Sequence, residues 1–86
     1  MDEVIETIKL SRPVEWMGQE IAQIQLREVD YGVLCDIEDE RLGEGAKGVA
    51  VAAAMGRVDR QAIRGLSPKD GSKVLTTVQD WYQKNV

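Results

Sequence analysis

The first third of the chain alternates and the rest turns helical. In residues 4–10, VIETIKL, β-branched side chains dominate, and Ile8 and Leu10 share one face with Val14 and Trp16 by a period of two. Residues 20–27, EIAQIQLR, alternate again, with Ala22, Ile24 and Leu26 on one face and Gln23, Gln25 and Arg27 on the other. Trp16-Met17-Gly18-Gln19 joins the two runs, and Gly18 can take the positive φ that tight hairpin turns require. The pattern predicts a β-hairpin over residues 1–28, with residues 4–10 in its first strand. Pro13 has no backbone donor, so this strand should lie at a sheet edge or kink there. One face of the hairpin is apolar. A lone two-stranded hairpin is marginal, so helices must cover that face.

Beyond residue 28 the apolar positions recur at helical spacing. Asp30 is placed to cap a helix over residues 30–42, where Val33, Leu34, Ile37 and Leu42 line one side. Gly32 weakens it, by roughly 1 kcal/mol against alanine in a helix interior. GEGAKG, residues 43–48, reads as a flexible joint. VAVAAAMG, residues 49–56, reads as a short buried helix whose small side chains let another backbone approach. Asp59 caps a one- or two-turn helix, RQAIRGL, that Gly65 stops. Ser67 as N-cap, Pro68 at the first position and Asp70 at the third open a last helix from Pro68 to about Lys84. Its apolar stripe is Val74, Leu75, Val78, Trp81 and Tyr82. The expected fold is therefore one α+β domain, an N-terminal hairpin packed against three or four short helices, with residues 49–86 as the helical part.

Composition narrows this picture. A chain of 86 residues buries a modest fraction of its surface and has a small core. Phe is absent, which leaves Trp16, Trp81, Tyr31 and Tyr82 as the large core pieces. Cys35 is the single cysteine, so no internal disulfide can form, as suits a reducing cytoplasm. It neighbours apolar helix positions and reads as a small core residue. No run approaches the ~18 apolar residues of a membrane span. The start, MDEVIETIK, is acidic and alternating, unlike a signal peptide. Charge is divided unevenly: residues 1–46 carry a net −8 and residues 47–86 a net +4. The two halves can attract each other within one molecule or between copies, or both can simply be solvated surface.

Candidate chemistry is sparse. There is no histidine, which removes the commonest general base and metal ligand. In DIEDE, residues 36–40, Asp36, Glu38 and Glu40 alternate as calcium ligands would, but Arg41 stands where a calcium loop needs its turning glycine. The glycines of residues 43–48 lack phosphate-loop spacing. No catalytic, cofactor or metal residue is assigned, and no enzyme activity is expected. The segment from Arg57 to Lys73 has a net charge of +3 and could serve a small DNA-binding or regulatory protein. A chain of net −4 is poorly placed for that, and nucleic acid is not the expected partner. Trp81 and Tyr82 either both finish the core or leave one ring at an edge that anchors an interface. The candidate partner-binding residues are Trp81, Tyr82, Val78 and Leu42.

The order of these features resembles the tail assembly chaperones of Mu-like and related contractile-tailed phages and prophages. The matching residues begin with Leu10 and Pro13, a short strand at Val14 to Trp16, Gly18 with Glu20 behind it, and a second strand from Ile24 to Glu28 ending in Arg-Glu. An Asp-led helix comes next at Asp30, then an alanine-rich helix and small loop at Val49 to Gly56, then a Leu-Ser-x-x-Asp start at Leu66, Ser67 and Asp70. The resemblance covers nearly the whole chain and departs at GEGAKG. It implies a protein that is no enzyme, that acts in the cytoplasm of a bacterial host and that is not kept in the mature virion. Such a protein binds the tape measure protein and keeps it soluble until tube subunits displace it. It implies as a further partner a longer, frameshifted form of the chain itself, while self-association is an expectation of the divided charge and of the hairpin's free edge. QKN, residues 83–85, can be encoded by codons that spell A AAA AAC across the frame, a slippery heptamer. A structural tail component is the other reading within the same setting.

Overall fold

In the computed structural model, residues 3–86 are described. Residues 1 and 2 of the expected hairpin segment lie outside them. Strand β1 (Val4–Trp16) and strand β2 (Gln19–Arg27) form an antiparallel two-stranded sheet. Helices α1 (Tyr31–Asp39), α2 (Glu44–Gly56), α3 (Arg60–Arg64) and α4 (Pro68–Asn85) come after it. The fold is α+β, a hairpin and then four helices. None of the described helices is long and apolar enough to cross a membrane.

The hairpin closes at Met17 and Gly18, which have φ of 53° and 79°. Positive φ at both central residues is the mirror-image turn whose twist matches the flanking strands. Below the turn the ladder is interrupted. Lys9 pairs with Gln23, and the next pair is Val14 with Ile21, so four residues of β1 oppose the single Ala22 of β2. Pro13 sits in this bulge, where no ladder donor is needed. The bulge also corrects the expected face of β2. Ile24 and Leu26 are buried as the alternation predicts, but Ala22 is exposed and Ile21 packs on the core instead. Ile21 and Ile24 are three apart, which an unbroken pleat would place on opposite faces.

Helix α1 starts where expected and ends early. The Asp30 carbonyl accepts from the Val33 N–H at 3.0 Å, but the Asp30 side chain makes no capping bond. The chain leaves the helix after Asp39, and Arg41 takes a φ of 56°, so Leu42 lies outside the helix as a half-buried residue packed on the core. Cys35 is exposed and free, not a core residue. Leu34 and Ile37 face inward, and Cys35 falls on the other side of a helix that is buried along one stripe only. Tyr31, at the helix start, is 74% exposed and contributes little to the core.

Residues 43–48 are not a joint. Gly43 caps α2, and residues 44–48 are its first turns. Helix propensity opposes this, but the segment continues straight into the most deeply buried helix of the molecule. Ala50, Val51, Ala52, Ala53 and Met55 are all buried, so packing on both sides overrides the weak local preference. At its C-terminal end α2 lies against β2: a Cβ on Gly56 would come within 3.0 Å of Ile24 Cγ2. Glycine is thus the residue that lets the helix approach the sheet this closely. The core lies between the inner hairpin face (Ile8, Leu10, Ile24, Leu26), α2, and the stripe Val74, Val78 and Trp81 of α4.

Candidate functional site

Helix α4 is positioned from its first turn. The Ser67 Oγ accepts from the Asp70 N–H at 3.3 Å, as an N-cap should. The Asp70 carboxylate reaches beyond the cap. It crosses to the bulge of β1, where it accepts from the Ser11 N–H at 2.9 Å, the Ser11 Oγ at 3.1 Å and the Arg12 N–H at 3.2 Å. The bulge frees the N–H groups of Ser11 and Arg12 from the ladder, Pro13 has none, and Asp70 satisfies both. Asp70 is 2% exposed, and among the described residues no buried side-chain polar atom lacks a partner. The Ser11 N–H, together with the Arg12 N–H and the two serine hydroxyls, outweighs burial and holds its pKa down at about 2, from 3.8.

Fixed in this way, α4 runs beside α2 and leaves a groove of about 280 Å³ between them. Val51 and Val78 form its floor, Leu75 and Tyr82 one wall, and Gly45 and Gly48 the other. The two glycines stand at i and i+3 on one face of α2, which keeps that wall low. A Cβ at Gly48 would stand 3.7 Å from Leu75 Cδ2. Lys47 closes one end. Its Nζ pairs with Glu38 of α1 and lies 5.3 Å from the centroid of the Tyr82 ring. The Glu38 carboxylate raises the Lys47 pKa, with a smaller contribution from Tyr82. The groove can take an apolar side chain on its floor while its rim stays wet and charged.

A second, wider cleft lies between α1, α2 and α3. Val33, Ile37, Ala50, Ala53 and Ala54 line it, and Glu40 and Arg60 stand at its edge. Arg60 donates twice to Glu40, at 2.7 and 2.6 Å. The Arg60 hydrogen bonds lower the Glu40 pKa, and Glu40 raises that of Arg60. Glu38 and Glu40, two of the three alternating acids of residues 36–40, are thus each engaged by a cation. Both pairs join the acidic first half of the chain to its basic second half.

The four candidate partner-binding residues are divided by the fold. Val78 and Tyr82 line the groove together. Trp81 is 9% exposed and belongs to the core, whereas Tyr82 is half-buried against it. Leu42 does not reach the groove. The hydrophobic stripe of α4 leads to Val78 and Tyr82, but Gly48, Val51, Lys47 and Leu75 are absent from the sequence-based candidates. For the α2 residues the signal is the glycine pair of residues 45 and 48 at helical spacing, which a reading of that segment as a joint conceals, whereas Leu75 belongs to the same stripe as Val78 and Tyr82. Asp70 reads as a helix-start acid, and nothing in its local sequence points to a partner 59 residues away. No family model matches this chain, and neither a curated protein nor a solved structure matches it.

Proposed function

We propose that this chain is a phage tail assembly chaperone that holds the tape measure protein in the host cytoplasm and leaves it before the virion is complete. The reading comes from the resemblance of residues 10–70, and the observation that carries it forward is the α2–α4 groove. A holding protein needs apolar contact that is shallow enough to reverse, set in a charged surface that keeps the complex dissolved. The groove, with an apolar floor and Glu44, Lys47 and Gln79 at its rim, has that form. A long helical client presents apolar side chains repeatedly, so many copies can bind weakly along it and be displaced one by one.

The DNA-binding alternative loses support from the fold. Its basic segment is divided between α3, only five residues long, and the start of α4, whose third residue is turned inward by β1. Neither offers a free recognition helix. Co-expression with the tape measure protein of the same phage or prophage tests the proposal directly. The client should become soluble and co-purify with the chain. A client that stays insoluble with this chain and with any longer frameshifted form sinks the reading, and recovery of the chain in purified virions would favour a structural component.

A further inference from the structure

The free end of the hairpin carries features the fold does not use. Met17 is 83% exposed. It holds a left-handed backbone in a turn whose first position favours Asn, Asp or Gly, so both its conformation and its exposure run against the residue type. Beside it, Glu15 and Glu20 are direct cross-strand partners, and both are exposed. Like charges set opposite each other weaken a hairpin. Neither has a cationic partner among the described residues.

A complementary patch stands close by. Arg64 closes α3, and Lys69 and Lys73 lie one turn apart on α4. All three are exposed and without an ion pair among the described residues. From residue 60 to residue 79 the sole acid is Asp70, and it is buried under β1. The corner adjoins the hairpin: a Cβ on Gly65 would lie 3.6 Å from Val14 Cγ1, three residues before Met17.

We propose that two copies of this chain associate by exchanging these patches. The acidic, methionine-tipped hairpin end of each copy seats on the Arg64, Lys69 and Lys73 corner of the other. The patches neighbour each other on one molecule, so a two-fold arrangement of two copies can satisfy both pairs at once and close into a dimer. Charge complementarity sets the orientation, and the flexible Met17 side chain supplies adaptable apolar contact. A second copy fits the corner better than nucleic acid does. The chain's net charge of −4 repels phosphate, whereas the hairpin end brings two carboxylates that have no cationic partner among the described residues. The interface does not depend on the identity of any client.

Sedimentation velocity of the intact chain at low salt provides the test. Wild type should show a concentration-dependent dimer that weakens as salt is added. Glu15→Lys/Glu20→Lys and Arg64→Glu/Lys69→Glu should each weaken it by about tenfold or more, and an equimolar mixture of the two variants should restore a heterodimer. Met17→Asn should weaken the dimer while raising the thermal midpoint, because Asn-Gly suits this turn, so the loss cannot be blamed on unfolding. The proposal is overturned by a wild type that stays monomeric at every concentration, or by a dimer indifferent to the charge reversals. It also falls if the mixed variants do not associate, or if the corner binds a DNA duplex in a gel shift that Arg64→Glu/Lys69→Glu abolishes.

Discussion

Asp70 and Glu40 both reach across the chain for a partner, Asp70 over 59 residues and Glu40 over 20. Asp70 sits at the junction of β1 and α4, 2% exposed, with three donors of β1 converging on its two oxygens. Glu40 sits at the rim of the α1–α3 cleft, where its side chain and that of Arg60 are 40% and 42% exposed. The Glu40 pair has the shorter bonds and the full opposite charge. Water nevertheless competes for both its members, and two long side chains must be held still to make it. Asp70 has no cationic partner among the described residues. Its partners are the Ser11 and Arg12 backbone donors, which the bulge has already fixed and freed from the ladder, with serine hydroxyls beside them, so losing it would leave those part-buried donors unmatched. Burial and the lack of alternatives, rather than formal charge, make the β1–α4 junction the stronger of the two.

Asp70→Asn should break that contrast most visibly. The amide nitrogen would meet donors of Ser11 or Arg12 head-on. The thermal midpoint, monitored by circular dichroism, should fall by roughly 10 °C. Acid titration sharpens the same point. The folded pKa of Asp70 lies below its ordinary value, so its stabilisation is complete above 3.8 and is lost as pH falls toward about 2. The stability difference between wild type and Asp70→Asn, measured by urea unfolding across that window, should shrink as pH drops. A constant difference would show that the carboxylate's ionisation is not what holds the junction.

The groove offers an effect on binding at little cost in stability. Gly48→Leu places a side chain against Leu75 and fills the space between α2 and α4, while leucine suits a helix better than glycine. Client capture in a pull-down should weaken by about tenfold or more, with the thermal midpoint unchanged or raised. The smallest effect belongs to the exposed rim. Glu40→Gln should lower the midpoint by about a degree or two, and added salt should erase even that. A loss as large as that of Asp70→Asn would overturn the comparison.

Much of the fold is legible in the residues because it rests on short-range rules. The turn at Met17-Gly18, the caps at Asp59 and Ser67, proline at the first position of α4 and its inward stripe each depend on neighbours within a few positions. The α4 side of the candidate site is readable on the same grounds, since Leu75, Val78 and Tyr82 belong to that stripe. The rest is invisible locally. Residues 43–48 are rich in glycine and look like a joint, yet residues 44–48 are helical because they lead into the buried part of α2. Cys35 borders apolar residues, yet it faces out because α1 touches the core along one line.

By itself, then, the amino-acid sequence determined the hairpin, the order of the strands and helices, and the inward stripe of α4, because these depend on periods of two and 3.6 and on capping chemistry. Only the tertiary structure decided which backbone groups would be orphaned by the bulge of β1 and which acid would answer them. It also decided that two glycines and a valine of α2 would line a groove with α4. Those outcomes depend on residues that are distant in the chain and meet only when the core closes, and no local rule specifies such a meeting.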